Sequence, residues 1–233
     1  MINIKYDGRF GNNLFQYFTA VILAENNKQS ISNPKNTILD KLKYNKEESK
    51  SFFEAIEIND SNLLSYIDSP NILSDINLVG FFQNRKIIKL FTENKERFFN
   101  QNKETNKGVY MHLRLGDILD TPGKYCTLDY YEKALQEVDI KNEPLYISSD
   151  SPNHEYVQFL LEKYKGKLIN GNEEETILVA SSFNHKILSL GTFSWWIGFF
   201  GNQNNVICPN PEDYIIWHGD LFPCLNWKTI NVN

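Results

Sequence analysis

Three short stretches of this 233-residue chain group side chains that can do chemistry together. His112-Leu113-Arg114-Leu115-Gly116-Asp117 sets an imidazole, a guanidinium and a carboxylate within one loop-sized span. Arg114 offers a planar, permanently charged fork that suits a diphosphate, and Asp117 can hold that fork or accept from a sugar hydroxyl. Gly191-Thr192-Phe193-Ser194-Trp195-Trp196 places hydroxyls beside the N–H groups of a predicted helix start, an arrangement that binds phosphate. Gly8-Arg9-Phe10-Gly11-Asn12-Asn13 has two glycines that allow close backbone approach, and Asn12 carries both a donor and an acceptor. Each stretch also has an ordinary structural reading: an Arg–Asp loop pair, a buried tryptophan pair, and a strand-to-helix turn.

The elements that must position these residues follow from periodicity. Met1–Tyr6 alternates as a strand, and Leu14, Phe15, Phe18, Val21 and Ile22 fall at helical spacing, with Asn12 or Asn13 as cap. Residues 26–77 are rich in Asn, Lys, Ser and Glu and predict only small elements. Leu78–Phe82 reads as a buried strand and Arg85–Phe99 as an amphipathic helix. Asn100–Gly108 has no apolar residue and reads as a linker. Beyond it, strands are predicted at Val109–Leu113, Pro144–Ser148, Lys167–Ile169, His185–Leu190 and, last, Asn205–Cys208. Helices between them are predicted at Leu128–Val138, Asn153–Tyr164, Glu174–Ser182 and Phe193–Gly201. That alternation implies βαβ crossovers and a parallel sheet, whose ligands sit at the carboxyl ends of the strands. Both the His112 and the Gly191 stretches follow directly on predicted strands.

Composition narrows the function classes. Lys and Arg number 24 against 29 Asp and Glu, a net charge of −5, which argues against a generally basic nucleic-acid coat. No apolar run approaches the roughly 18 residues of a membrane span, and the N-terminus lacks a basic leader followed by an apolar run. Cys126, Cys208 and Cys224 are odd in number and show no Cys-x-x-Cys spacing, so reduced packing thiols are expected. A cytoplasmic protein is the expectation. The histidines lack the clustering that metal ligation needs; His154 reads as a solvated helix residue and His218 as a turn residue.

Taken in order, the motifs resemble those of the alpha-1,2-fucosyltransferases, inverting enzymes that use GDP-L-fucose. Gly8-Arg9-Phe10-Gly11-Asn12-Asn13-Leu14-Phe15-Gln16-Tyr17 is similar to the family's G-x-L-G-N-Q-x-F-Q-Y, and Gly80-Phe81-Phe82-Gln83-Asn84 to its G-Y-F-Q-S. The His112–Asp117 stretch resembles H-x-R-R-x-D, and Tyr130-Tyr131-Glu132-Lys133-Ala134-Leu135 resembles Y-Y-x-x-A-I. Ser148-Ser149-Asp150 stands for F-S-D, and Gly191–Trp196 for S-T-F-S-W-W. Leu115 stands where the family has a second arginine, Asn13 replaces a Gln and Gly191 a Ser. A Leu115→Arg replacement is therefore expected to tighten donor binding.

The resemblance implies an α/β, GT-B-like fold of two Rossmann-like halves with parallel sheets, the N-terminal half reduced. Residues 1–105 would form the acceptor-side domain and residues 106–233 the nucleotide-sugar domain. The implied reaction is transfer of L-fucose from GDP-fucose to a glycan hydroxyl, α1,2 to galactose, with inversion and without a metal or other cofactor. Arg114 is assigned to the β-phosphate, and Thr192, Phe193 and Ser194 to the rest of the diphosphate. Asp150 goes to the guanine edge, His112 and Asp117 to positioning the nucleotide loop or Arg114, and Gly11 and Asn12 to the fucose and acceptor. Asp117 and Asp7 are the carboxylates available as general base. The implied partners are a GDP-sugar and an oligosaccharide, with no nucleic acid and no transmembrane segment. Another nucleotide-sugar donor, fucose transfer to protein, and non-catalytic nucleotide or glycan binding are the alternatives.

Overall fold

The computed structural model describes residues 1–32, 54–67, 71–95, 106–120, 125–138, 143–201, 204–210, 221 and 225–232. The chain divides into two compact units, Met1–Phe98 and Phe99–Asn233. Each has its own parallel sheet, the two-sheet α/β architecture that a two-half Rossmann-like fold requires.

The first unit runs β1 (Ile2–Lys5), α1 (Phe10–Asn27), β2 (Ile56–Asn59), α2 (Leu63–Ile67), β3 (Ile76–Val79) and α3 (Arg85–Glu93). Its sheet has the order β1-β3-β2, all parallel. Register pairs Ile4 with Leu78 and Leu78 with Ile58, so alternate apolar residues form one buried row across the three strands. Phe91 of α3 packs against Phe15 and Phe18 of α1, with ring centroids 5.8 and 6.1 Å away. Asn84 caps α3 by accepting from the N–H groups of Lys86 and Ile87.

Helix α1 begins at Phe10, with Arg9 as its N-cap and no side-chain capping bond, so neither Asn12 nor Asn13 is the cap. The side-chain amide of Asn13 instead donates to the Asp7 and Gly8 carbonyls. The expected strand at Leu78–Phe82 ends at Val79, and Gly80-Phe81-Phe82 turns away from the sheet. Its aromatic residues supplied the apolar run, but Phe82 is buried by a turn and Phe81 is only half-buried.

The second unit runs β4 (Asn106–Leu113), a single 3-10 turn (Asp117–Asp120), α4 (Leu128–Val138), β5 (Leu145–Ser149), α5 (Glu155–Tyr164) and β6 (Lys167–Leu168). It continues with α6 (Glu173–Ser181), β7 (Phe183–Ile187), α7 (Thr192–Phe199), β8 (Asn205–Pro209) and β9 (Lys228–Ile230). The sheet order is β6-β5-β4-β7-β8-β9, every pair parallel. Counted within the unit this is 3-2-1-4-5-6, the doubly wound order in which the chain reverses direction beside its first strand.

Three expectations are corrected here. Strand β4 starts at Asn106 rather than Val109, so the last three residues of the expected linker pair with the sheet, through a register shift between Asn106 and Val109. Residues 100–105 lie outside the described residues. Asn205–Cys208 is not the last strand: β9 adds a sixth, too short and polar (Lys228-Thr229-Ile230) to show alternation. His154 is the N-cap of α5, its Nδ1 accepting from the Tyr156 N–H, so it is fixed by the backbone.

Alternation along β4 sorts its side chains. Val109, Met111 and Leu113 join one core with Tyr130, Tyr131, Ala134 and Leu135 of α4 and Val157 and Leu160 of α5. Tyr110 and His112 face the other way. There Tyr110 is hydrogen-bonded to Ser148 and lies 5.5 Å from Phe183, and His112 meets α7. Cys126 and Cys208 are buried free thiols whose ionisation burial pushes up to about 12; Cys224 and His218 lie outside the described residues.

Candidate active site

The reversal point of the doubly wound sheet lies between β4 and β7, and ligands bind outside the carboxyl ends of the strands there. Leu113 ends β4 and delivers Arg114; the segment after β7 delivers Gly191 and α7. Two motifs separated by more than seventy residues of sequence thus meet because they leave adjacent strands.

The contact is specific. Gly191 is the N-cap of α7 with φ 98° and ψ 166°, a region open essentially to glycine alone. A Cβ there would overlap Nη1 of Arg114 and stand 3.3 Å from its Cζ. The guanidinium therefore lies against the N-cap of α7, where a helix directs its N–H groups and partial positive charge outward. Its Nη2 is 3.4 Å from the Asp117 carboxylate, a long and partly exposed pair that steers more than it stabilises. Thr192 and Phe193 are half-buried at the helix start.

Beneath this surface, His112 holds the helix in place. His112 Nδ1 and Ser194 Oγ are 2.5 Å apart, and Ser194 also accepts from the Ser189 N–H at 3.0 Å. The His112 ring meets Phe193 edge-on at 5.2 Å. Burial, and secondarily the Arg114 charge, push the imidazole down to about 3, so it is neutral near pH 7. Between the neutral ring and the hydroxyl one group donates and the other accepts, while the serine oxygen keeps its bond from the backbone. Ser194 is fully buried, and its hydroxyl is turned inward to His112 and Ser189, away from the direct ligand contact expected of it.

Asp150, just past β5, also works on the loop. Its Oδ1 accepts from the N–H of Leu115 at 2.7 Å and of Gly116 at 3.1 Å, fixing the bend that presents Arg114. Leu115 itself is 1% exposed and belongs to the core formed with α4 and α5. The expectation for Leu115→Arg is overturned by this: the side chain points into the core, so an arginine there would bury a charge instead of adding one to the site.

Two supporting residues were missed by sequence reasoning. Ser189 supplies the N–H that orients Ser194, and no pattern marks it. Lys186 is fully buried and donates to the Ile197 and Phe200 carbonyls at the carboxyl end of α7. A cation there complements the helix dipole, and its signal was a lone lysine within the predicted strand His185–Leu190. Trp195 and Trp196, by contrast, are core residues as their adjacency indicates: both are 0% exposed and stack with Phe199 and Phe200.

The remaining expected residues belong to the first unit. Gly11 is buried in the first turn of α1, and Asn12, half-buried beside it, accepts at Oδ1 from Gln83 Nε2 at 3.1 Å. Gln16 joins this loop to the turn after β3. Its Nε2 donates to the Gly80 carbonyl at 2.9 Å and its Oε1 accepts from the Asp7 N–H at 3.2 Å.

The sequence profile of glycosyl transferase family 11 matches residues 79–215, more than half of the chain. The chain belongs to glycosyl transferase family 11. This is the alpha-1,2-fucosyltransferase family, so the protein is a glycosyltransferase, and specifically a fucosyltransferase. The matched span of this family 11 enzyme takes in the Gly80–Asn84 turn and both motifs at the sheet reversal; the Gly8–Tyr17 stretch lies before it. No curated protein matches the chain. No helix among the described residues is long and apolar enough to cross a membrane. Among those residues, too, no three His, Cys, Asp or Glu side chains converge to hold a metal ion.

Proposed function

We propose that the protein transfers L-fucose from GDP-fucose to a glycan hydroxyl, forming an α1,2 linkage to galactose with inversion. The observation that carries this reading is the Arg114 guanidinium lying against Gly191 at the start of α7, at the reversal of a doubly wound sheet. Departure of the diphosphate is the charge problem of the reaction, and fixed donors aimed at the developing charge are the largest single remedy for it. Arg114 neutralises the β-phosphate, and the N–H groups of the first turn of α7, with the Thr192 hydroxyl, receive the remaining oxygens. Because His112, Ser189 and Ser194 already fix that turn, little reorganisation is needed when the charge develops.

Asp150 offers the guanine edge its Oδ2, while Oδ1 holds the loop. Asp117 keeps Arg114 directed. In the first unit, Gly11 and Asn12 address the fucose and the incoming hydroxyl. With the leaving-group charge met by Arg114 and a helix start, turnover that survives EDTA is the expected behaviour. A cytoplasmic setting is part of the proposal, supported by the free thiols Cys126 and Cys208.

The test is Arg114→Ala with GDP-fucose as donor. Loss of a charge-assisted contact of about 1.5–3 kcal/mol predicts roughly 10- to 100-fold weaker GDP binding, with turnover falling at least as far. Binding and turnover that both survive would remove the phosphate assignment. A panel of GDP- and UDP-sugars separates fucose transfer from use of another donor.

A further inference from the structure

The turn after β3 holds a polar arrangement that neither the reaction scheme nor the motifs explain. Phe82 is a fully buried phenylalanine at φ 55°, in the left-handed region that costs a non-glycine residue about 1–2 kcal/mol. Asp60, which follows β2, holds it there. One carboxylate oxygen accepts from the Phe81 N–H at 2.8 Å and the other from the Phe82 N–H at 2.6 Å. Gly80 is what lets the carboxylate come so close, since a Cβ at that position would stand 2.5 Å from Asp60 Oδ2. The consequence is a reversed turn that aims the next side chain, Gln83. Gln83 is 3% exposed and donates to Asn12 Oδ1. Gln16, fully buried, ties the same turn to the loop before α1 through the Gly80 carbonyl and the Asp7 N–H.

We infer that Asp60 is a positioning residue: it sets the Gly80–Gln83 turn so that Gln83 fixes the amide of Asn12. Charge-assisted bonds to two successive N–H groups offset the left-handed strain, and without them the turn relaxes toward an ordinary extended backbone that carries Gln83 away. The inference rests on the assignment of Asn12 to the fucose or acceptor. Asp60 touches no substrate in this scheme, and its effect passes through Phe82 and Gln83 to Asn12. Small losses of orientation are costly in such a chain, since misplacement of a reacting group by about 1 Å lowers a rate roughly 100-fold.

The test compares Asp60→Ala, Asp60→Asn, Gln83→Leu and the Asp60→Ala/Gln83→Leu pair in the full chain, with GDP-fucose and a glycan acceptor. Asp60→Ala and Gln83→Leu should each lower kcat about tenfold or more and leave the Kd for GDP within twofold of the parent. Asp60→Asn, which keeps one acceptor oxygen, should recover part of the loss. The double variant should lose no more kcat than the worse single one, because both changes release the same amide. Unchanged kcat in the single variants, or losses that add in the double variant in step with falling Tm, would overturn the inference. A second readout is independent of turnover: the Gln83 side-chain amide protons should be protected from exchange in the parent and exposed in Asp60→Ala. Equal protection in both would also overturn it. A parent protein that fails to transfer fucose removes the proposed reaction, whereas the amide measurement still decides the role of Asp60.

Discussion

Replacing Gly191 by alanine tests whether Arg114 and the start of α7 form one anion site. Two penalties arise from one methyl group. The backbone at φ 98°, ψ 166° costs an L-residue about 1–3 kcal/mol, and the new Cβ overlaps Nη1 of Arg114 and must push the guanidinium aside. The first penalty is paid in stability and the second in binding. If displacement removes most of a charge-assisted contact with the diphosphate, about 1.5–3 kcal/mol, GDP should bind roughly 10- to 100-fold more weakly. Isothermal titration of GDP into the parent, Gly191→Ala, Arg114→Ala and the double variant separates the terms. The double variant should bind about as weakly as Arg114→Ala alone, since the methyl group has no guanidinium left to displace. A Gly191→Ala protein that melts lower yet binds GDP like the parent would refute the reasoning. So would additive losses in the double variant.

Leu115→Arg should destabilise the second unit by about 3–5 kcal/mol by burying an uncompensated charge, seen as a Tm about 10 °C lower or more, with no gain in GDP affinity. Ser194→Ala strands the His112 Nδ1 and the Ser189 N–H together and should cost about 2–4 kcal/mol in urea unfolding. Because the folded state holds His112 down to about 3 and the unfolded chain returns it to about 6.5, the unfolded state binds the extra proton between those values. Stability contributed by neutral His112 is therefore complete above about pH 6.5 and falls by about 1.4 kcal/mol per pH unit as pH drops through the window toward 3. Subtracting the urea-unfolding profile of His112→Asn from that of the parent isolates this slope, which should vanish in the variant.

Much of the second unit was legible because its strands are apolar runs separated by helices of about ten residues, and that alternation admits few topologies. The order 3-2-1-4-5-6 was not, since periodicity says nothing about which strands become neighbours. It is this order that brings Arg114 to Gly191. Residue type alone singled out Arg114 as a candidate anion ligand and pointed to Trp195 and Trp196 as core, and the burial of both tryptophans agrees with the second reading. It could not show that Ser194 points inward, because a serine at a helix start serves a ligand or a buried histidine equally well. Leu115 was misjudged for a related reason: it stands where the family has an arginine, and only the bend fixed by Asp150 turns it into the core. In the first unit, Phe81 and Phe82 resembled a strand in composition, while the left-handed turn depends on Asp60, some twenty residues earlier. A contact of that kind leaves no local pattern.

Product analysis by NMR after GDP-fucose is offered to a panel of glycans tests the central claim most directly. The account predicts a fucosyl product with α configuration, inverted from the β-linked donor, attached to O2 of a galactose, and lost together with GDP affinity in Arg114→Ala. Retention of configuration, transfer only from another nucleotide sugar, or the same product formed by Arg114→Ala with GDP affinity intact would contradict it.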